Sequence, residues 1–286
     1  MNKGQFHFKK LLEDTGFQLK KKFGQNFLIQ PAIPARIASS SRAAAGEGKA
    51  ACIEIGPGAG ALTRELCQCY DKVVAIELDT SLEPVLNISL APFDNVKIIW
   101  KDVLQVNLPA LAEKLAGYSL SLCANLPYYI TSPILMYMLE SRIPFQSITV
   151  MMQKEVADRL LSSPNREEYG AITAVVNYYC NVKKLFDVAP GNFLPPPHVT
   201  STVVALLPHT LPPVQPQNET IFFRVIRGAF ALRRKTLLNS LSSVFPIEKE
   251  LLSNLLIQAG IDPSCRGETL DLVAFCAIAD RIAELT

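Results

Sequence analysis

Five short apolar runs, residues 51–55, 72–78, 96–100, 120–125 and 147–152, recur along the first half of the chain, separated by helix-length stretches of mixed polarity. The runs are strand-length, and strand-helix alternation predicts an α/β fold with a mostly parallel sheet. Two more strand-like runs, 181–188 and 200–207, lie close together around a proline-rich loop, as a terminal antiparallel hairpin would. Residues 208–220 hold four prolines and little apolar content, which predicts a linker. Beyond it, residues 221–241, 248–259 and 270–285 have helical periodicity with turn residues between them and no strand signal. The pattern therefore predicts two domains, 1–207 and a small all-helical 208–286. On a helical wheel for 221–241, Arg224, Arg227, Arg234 and Lys235 share one face, and Phe223, Ile226, Phe230 and Leu237 form a wider apolar one.

Charge adds a second feature to this outline. The net charge is only +2, yet residues 1–49 carry nine Lys/Arg against three Asp/Glu, and residues 224–235 carry five basic residues and no acid. Two separated basic segments around a neutral core are the footprint expected for a polyanion, because phosphate contacts supply much of nucleic-acid affinity. Composition is ordinary for a globular chain, at 49% hydrophobic and 19% charged. The N-terminus lacks the apolar run of a signal peptide, and no stretch reaches membrane-spanning length, so the expected compartment is the cytoplasm with no membrane association. Seven cysteines form no C-x-x-C pair, and His7, His198 and His209 are far apart, which argues against disulfides, a metal site and a Cys/His nucleophile.

The first motif with chemistry is Glu54-Ile-Gly56-Pro-Gly58-Ala-Gly60, which directly follows a predicted strand and precedes a predicted helix beginning near Leu62. Glycines there let a backbone approach a ligand at a helix N-terminus. The G-x-G-x-G spacing differs from the G-x-G-x-x-G of dinucleotide binders and favours S-adenosylmethionine, which has no pyrophosphate to cradle. Glu77, twenty-one residues after Gly56 and at the end of its strand, is placed to accept hydrogen bonds from ribose hydroxyls. Asp102, ending the next strand, is a candidate for the adenine amino group, and as an isolated residue would serve as a turn or cap.

Asn125-Leu126-Pro127-Tyr128 ends the fourth predicted strand. A sulfonium is already a strong methyl donor, so such a site needs to hold an acceptor in line rather than to supply a strong base. An adenine N6 amine is a poor nucleophile, and acceptors on its N–H groups stabilise the developing positive charge. The Asn125 side-chain oxygen and the backbone carbonyl of Pro127 or Leu126 are candidate acceptors. Tyr128 is a candidate to stack on the base, with Phe193 on its other face. Alone, Asn-Leu-Pro-Tyr could be a β-turn with a core tyrosine, and Phe193 a loop anchor; position in the fold favours the functional assignment.

In order along the chain stand Lys22-Phe-Gly-Gln-Asn-Phe-Leu28, Ile55-Gly-Pro-Gly-Ala-Gly-Ala-Leu-Thr63, Asn125-Leu-Pro-Tyr-Tyr129, Met152-Gln-Lys-Glu-Val-Ala157, Phe193-x-Pro-x-Pro-x-Val199 and Arg233-Arg-Lys-Thr236. This series resembles the ribosomal RNA adenine dimethyltransferase family, in its bacterial small-subunit branch, from about Lys20 to Leu241. The resemblance implies a Rossmann-like methyltransferase sheet with a helical C-terminal domain involved in rRNA binding. It implies dimethylation of two adjacent adenosines in the 3'-terminal hairpin of small-subunit rRNA, within a pre-ribosomal 30S particle. Cofactor roles fall on Asn26, Leu28, Gly56, Gly58, Glu77, Asp102 and Asn125, and target-base roles on Asn125, Leu126, Pro127, Tyr128 and Phe193. RNA contacts are expected at Arg224, Arg227, Arg234 and Lys235. Gln30, His198 and Thr200 stand where the family usually has Asp, Lys and Asp.

Competing assignments are a nicotinamide-dependent oxidoreductase, a resistance-type methyltransferase of large-subunit rRNA, and a mainly non-catalytic ribosome-assembly factor. The first leaves Asn125 to Tyr128 and both basic segments without a role. Leu126 and the Arg233 motif favour the small-subunit branch over the second. Monomer is the default oligomeric state.

Overall fold

A computed structural model describes residues 8–20, 24–127 and 130–285. The chain forms two compact units, one of residues 1–157 with 183–208, the other of residues 158–182 with 209–286. Along the chain run α1 (Phe8–Asp14), β1 (Phe27–Leu28), α2 (Ala32–Ala44), β2 (Ala50–Ile55), α3 (Ala61–Cys69), β3 (Lys72–Glu77) and α4 (Glu83–Ser89). Next come β4 (Val96–Trp100), α5 (Leu108–Glu113), β5 (Ser119–Asn125), α6 (Thr131–Glu140), β6 (Ser147–Gln153) and α7 (Lys154–Leu160). The remainder is α8 (Ala171–Tyr179), β7 (Cys180–Val188), β8 (Phe193–Leu194), β9 (Ser201–Pro208), α9 (Glu219–Ala229), α10 (Leu237–Ser242), α11 (Lys249–Gln258) and α12 (Leu272–Ala283).

Among the described residues a seven-stranded sheet has the order β4-β3-β2-β5-β6-β9-β7. The pairs from β4 to β6 are parallel, and β9 runs antiparallel to β6. All six residues of β2 are buried, as are five of the seven in β5, because strands covered on both faces lose water at every position and are mostly apolar, with Glu54 and Ser121 as exceptions. Register does more for function than burial does. Ile55 pairs with both Ile76 and Ala124, Glu77 with Trp100, and Asn125 with Met151, so the carboxyl ends of β2, β3, β4 and β5 finish level. Ligands of open α/β sheets bind at that edge. The chain reverses its winding there, since β3 lies to one side of β2 and β5 to the other.

The turn from β2 into α3 requires glycine. Gly60 has φ of 88°, and a Cβ on it would lie 2.5 Å from Ser89 Oγ. Gly58 has φ of 56°, and a Cβ there would meet the Phe27 ring at 2.8 Å. Phe27 belongs to a ribbon that periodicity could not reveal, two residues of β1 paired antiparallel with two of β8, Phe27 with Leu194 and Leu28 with Phe193. A strand of two residues has no period to detect.

In the second unit the predicted single helix 221–241 is corrected to two helices. α9 ends at Ala229, residues 230–235 turn, and α10 starts at Leu237 behind a Thr236 N-cap whose Oγ1 accepts from Asn239 N. The break holds because the first amides of α10 find partners outside the helix. Leu237 N donates to the Cys265 carbonyl at 2.7 Å and Leu238 N to that of Pro263 at 3.2 Å. Ser240 Oγ accepts from Leu232 N and donates to the Gly228 carbonyl, which seals the turn.

The segment 158–182, placed with the first domain by sequence, groups with the helices of the second unit for an aromatic reason. Tyr178, 1% exposed, packs against Phe222 and Phe223, and its hydroxyl donates to Glu219 Oε1 at 2.6 Å. Tyr169 meets Phe230 edge-on and donates to the Leu270 carbonyl. Among the described residues no helix is long and apolar enough to cross a membrane.

Candidate active site

The level strand ends of the first unit border one cavity, lined by Asn26, Leu28, Glu54, Gly56, Gly58, Glu77, Asp102, Asn125, Leu126 and Pro127 among others. Nine of these ten are residues that motif reasoning or the family resemblance singles out as site residues, drawn from five separate stretches of chain. Glu54 is the addition.

Glu77 ends β3 and is buried. One carboxylate oxygen accepts from Asp79 N at 2.8 Å and the other from Gly58 N at 3.2 Å, so the same side chain that borders the cavity also clamps the glycine turn. Burial raises its pKa, and the backbone N–H groups of Asp79, Gly58 and Leu78 hold that rise back by stabilising the anion. Asp102 borders the cavity while its Oδ1 accepts from Leu104 N at 3.0 Å, capping the short 3-10 turn that follows β4. The cap and the wall are one residue.

Asn125 is held by its amide. Its Nδ2 donates to the backbone carbonyl of Asn26 at 3.2 Å, across a sequence separation of 99 residues. An amide has distinct donor and acceptor ends, so this bond commits the nitrogen and leaves Oδ1 as an acceptor. Asn26 in turn donates from its own Nδ2 to the Gly24 carbonyl at 3.1 Å. Leu126 is 1% exposed, with its N–H bonded to the Met151 carbonyl. The Pro127 carbonyl already accepts from Ile130 N at 3.2 Å and from Thr131 Oγ1 at 3.0 Å, which occupies both of its lone pairs.

Phe193 does not border the cavity. It is 2% exposed and packs in the core of the first unit, with β8 bonded to β1. It pairs in register with Leu28, which does line the cavity, so the expected stacking residue stands across the β1–β8 ribbon from the wall. Tyr128, the other expected platform, lies outside the described residues, as do Lys22 and Phe23 of the first motif.

Glu54 sits in β2 with 1% exposure, and its Oε2 has no hydrogen-bond partner. Burial pushes its pKa up to about 8; the Thr63 hydroxyl, nearby but outside hydrogen-bond geometry, opposes the rise, and the charge of Glu77 adds to it. In sequence Glu54 reads as one more strand position, although its place at the head of the glycine motif was a usable signal. A carboxyl group with a buried oxygen left unbonded beside a cavity is unfavourable for the protein alone, which makes Glu54 a candidate site residue.

In the second unit Arg224, Arg227, Arg234 and Lys235 are all exposed, on α9 and in the turn after it rather than on one helix. Arg224 is committed: its guanidinium lies 4.5 Å over the Phe245 ring and donates to the Val244 carbonyl. Arg233 donates to the Glu167 carbonyl.

A family model described as Ribosomal RNA adenine dimethylase matches residues 16–283. A protein of Geobacillus kaustophilus named Ribosomal RNA small subunit methyltransferase A is 44% identical over 282 residues, covering 97% of this chain and 95% of the relative. Among solved structures, a dimethyladenosine transferase from Plasmodium falciparum is 24% identical with a TM-score of 0.70, covering 88% of this chain and 95% of the other. The 23S rRNA methyltransferase ErmE is 22% identical with a TM-score of 0.66, covering 90% and 100%. The last two likenesses show the Rossmann-like methyltransferase fold.

Proposed function

Because the chain belongs to the ribosomal RNA adenine dimethylase family, we propose that it transfers methyl groups from S-adenosylmethionine to N6 of two adjacent adenosines in the 3'-terminal hairpin of small-subunit rRNA. It does so in the cytoplasm, as a monomer, on an assembling 30S particle. The observation that carries this assignment is the amide of Asn125, whose nitrogen is tied to Asn26 so that its oxygen is the atom left to accept.

The cavity suits the cofactor. Two buried carboxyl groups, of Glu54 and Glu77, offer hydrogen-bonding partners to a ligand bearing hydroxyl and amino groups, and the glycine turn brings backbone where side chains would exclude it. When bound, S-adenosylmethionine supplies an activated methyl group on a sulfonium. Glu77 receives the ribose hydroxyls, Asp102 the adenine edge, and Asn26, Leu28, Gly56 and Gly58 form the wall.

The target adenosine leaves its stack and enters beside Asn125. Asn125 Oδ1 accepts one N6 hydrogen, and the Leu126 carbonyl accepts the other, since that of Pro127 is taken by Ile130 and Thr131. These acceptors localise the lone pair on N6 and stabilise the positive charge that grows there, so no strong base is needed. Tyr128 stacks on the base. Arg227, Arg234 and Lys235, with Arg224 as a fixed member, bind the rRNA backbone through phosphates.

Incubating the protein with S-adenosylmethionine and under-methylated small subunits, then mapping added methyl groups by mass spectrometry, tests the proposal. Two neighbouring dimethyladenosines in the 3'-terminal hairpin are expected. Methylation of large-subunit rRNA alone transfers the protein to the resistance-type activity, and tight subunit binding without methylation makes it an assembly factor.

A further inference from the structure

Asp79 is not among the residues that line the cavity, yet its carboxylate accepts four hydrogen bonds. Its side chain is 3% exposed. Oδ1 accepts from Lys20 Nζ at 2.7 Å and from Ser81 Oγ at 2.7 Å, while Oδ2 accepts from Gln25 Nε2 at 2.8 Å. Gln25 closes the ring by accepting Lys20 N on its Oε1 at 3.0 Å. Capping the 3-10 turn at residues 80–82 requires only the bond from Ser81 N. The bonds from Lys20 and Gln25, 59 and 54 residues away in sequence, serve something else.

Gln25 is followed directly by Asn26, whose carbonyl holds the Asn125 amide, by Phe27, whose ring covers Gly58, and by Leu28, which lines the cavity. Among the described residues, strand pairing reaches only Phe27 and Leu28 of this stretch. We propose that Asp79 is a positioning residue: through Lys20 and Gln25 it fixes residues 24–28 against the cavity, and through the Asn26 carbonyl it sets which end of the Asn125 amide faces the substrate. Asp79 N also bonds Glu77 Oε1, so one residue aligns the acid of the cofactor wall and the amide of the base pocket. Hydrogen bonds from Lys20, Ser81 and Gln25 outweigh the effect of burial and hold the Asp79 carboxyl below its ordinary pKa, which keeps the latch charged.

The role rests on the proposed methyl transfer, and its test has a readout that does not. In the full-length protein, Asp79→Asn and Lys20→Met are expected to speed amide hydrogen exchange at residues 24–28 while leaving the strands of the sheet protected. Single-turnover methylation at saturating S-adenosylmethionine should fall by about tenfold to a hundredfold, as misplacement of a reacting group does. Affinity for the small subunit should stay the same. The double variant should be no slower than Asp79→Asn, and Lys20→Arg should restore most of the rate. Unchanged exchange at residues 24–28 in both single variants overturns the latch, whether or not the wild-type protein methylates RNA. Faster exchange with an unchanged methylation rate, or strictly additive rate losses, overturns its link to Asn125.

Discussion

Around the cavity of the first unit, key polar groups are tied to one another: Asn125 to Asn26, Glu77 to Gly58 and Asp79, Asp79 to Lys20 and Gln25. Along residues 224–235 of the second unit, Arg227, Arg234 and Lys235 stand exposed, while the side chains of Arg224 and Arg233 are bonded to nearby carbonyls. The contrast matches the roles proposed above for the two regions. Methyl transfer is sensitive to displacements of an ångström, so its groups must be held before substrate arrives. Phosphate binding depends on charge released from a counterion atmosphere and tolerates side chains that find their partners late.

Four substitutions break or sharpen this division. The largest effect is expected for Asn125→Ala, which removes an acceptor needed only as charge develops; single-turnover methylation should fall about a hundredfold or more while small-subunit affinity is largely spared. Equal loss of binding would erase the distinction between the regions.

Glu54→Gln acts next, on stability. The folded-state pKa of about 8 lies above the ordinary value of 4.5, so the folded protein keeps a proton that the unfolded chain releases between those limits. Stability is therefore present at low pH and lost as pH rises through that window. Glutamine cannot ionise, and Glu54→Gln should gain on the parent as pH increases, by an amount on the order of 1–3 kcal/mol at about pH 8 and close to nothing at about pH 5. Denaturant unfolding at the two pH values decides this, and an equal difference at both would mean that Glu54 is ionised when folded.

Arg234→Glu should weaken small-subunit binding about tenfold at moderate salt and flatten its salt dependence, with methylation at saturating RNA preserved. Smallest of the four is Arg224→Ala. Its guanidinium is stacked on Phe245, so the substitution should cost about 0.5–1 kcal/mol of folding stability through lost cation-π contact, measured by thermal unfolding. A binding loss larger than that of Arg234→Glu would show that a fixed arginine outweighs an unfixed one.

The sheet was legible because parallel strands must be apolar throughout, and its five runs stand out against the helices. The cavity wall was legible because a glycine turn, an acid at a strand end and Asn125-Leu126-Pro127 each carry local signals, and the resemblance added Asn26 and Leu28. The helix break at residues 230–236 was not, since the bonds that hold it run from Leu237 to Cys265 and from Leu238 to Pro263, far along the chain. The place of Phe193 was not either: an aromatic in a proline loop reads the same whether it faces a ligand or the core. Nor was the grouping of residues 158–182, which rests on Tyr178 meeting Phe222 and Phe223.

By itself, then, the sequence determined which elements form and which residue types stand at the strand ends, because those depend on periodicity and on turn chemistry within a few residues. Only the tertiary structure decided which way the Asn125 amide points, that Glu54 is buried with Oε2 unbonded, and that Asp79 reaches back to Lys20 and Gln25. Those properties depend on desolvation and on hydrogen bonds between segments far apart in sequence, and neither has a local signature.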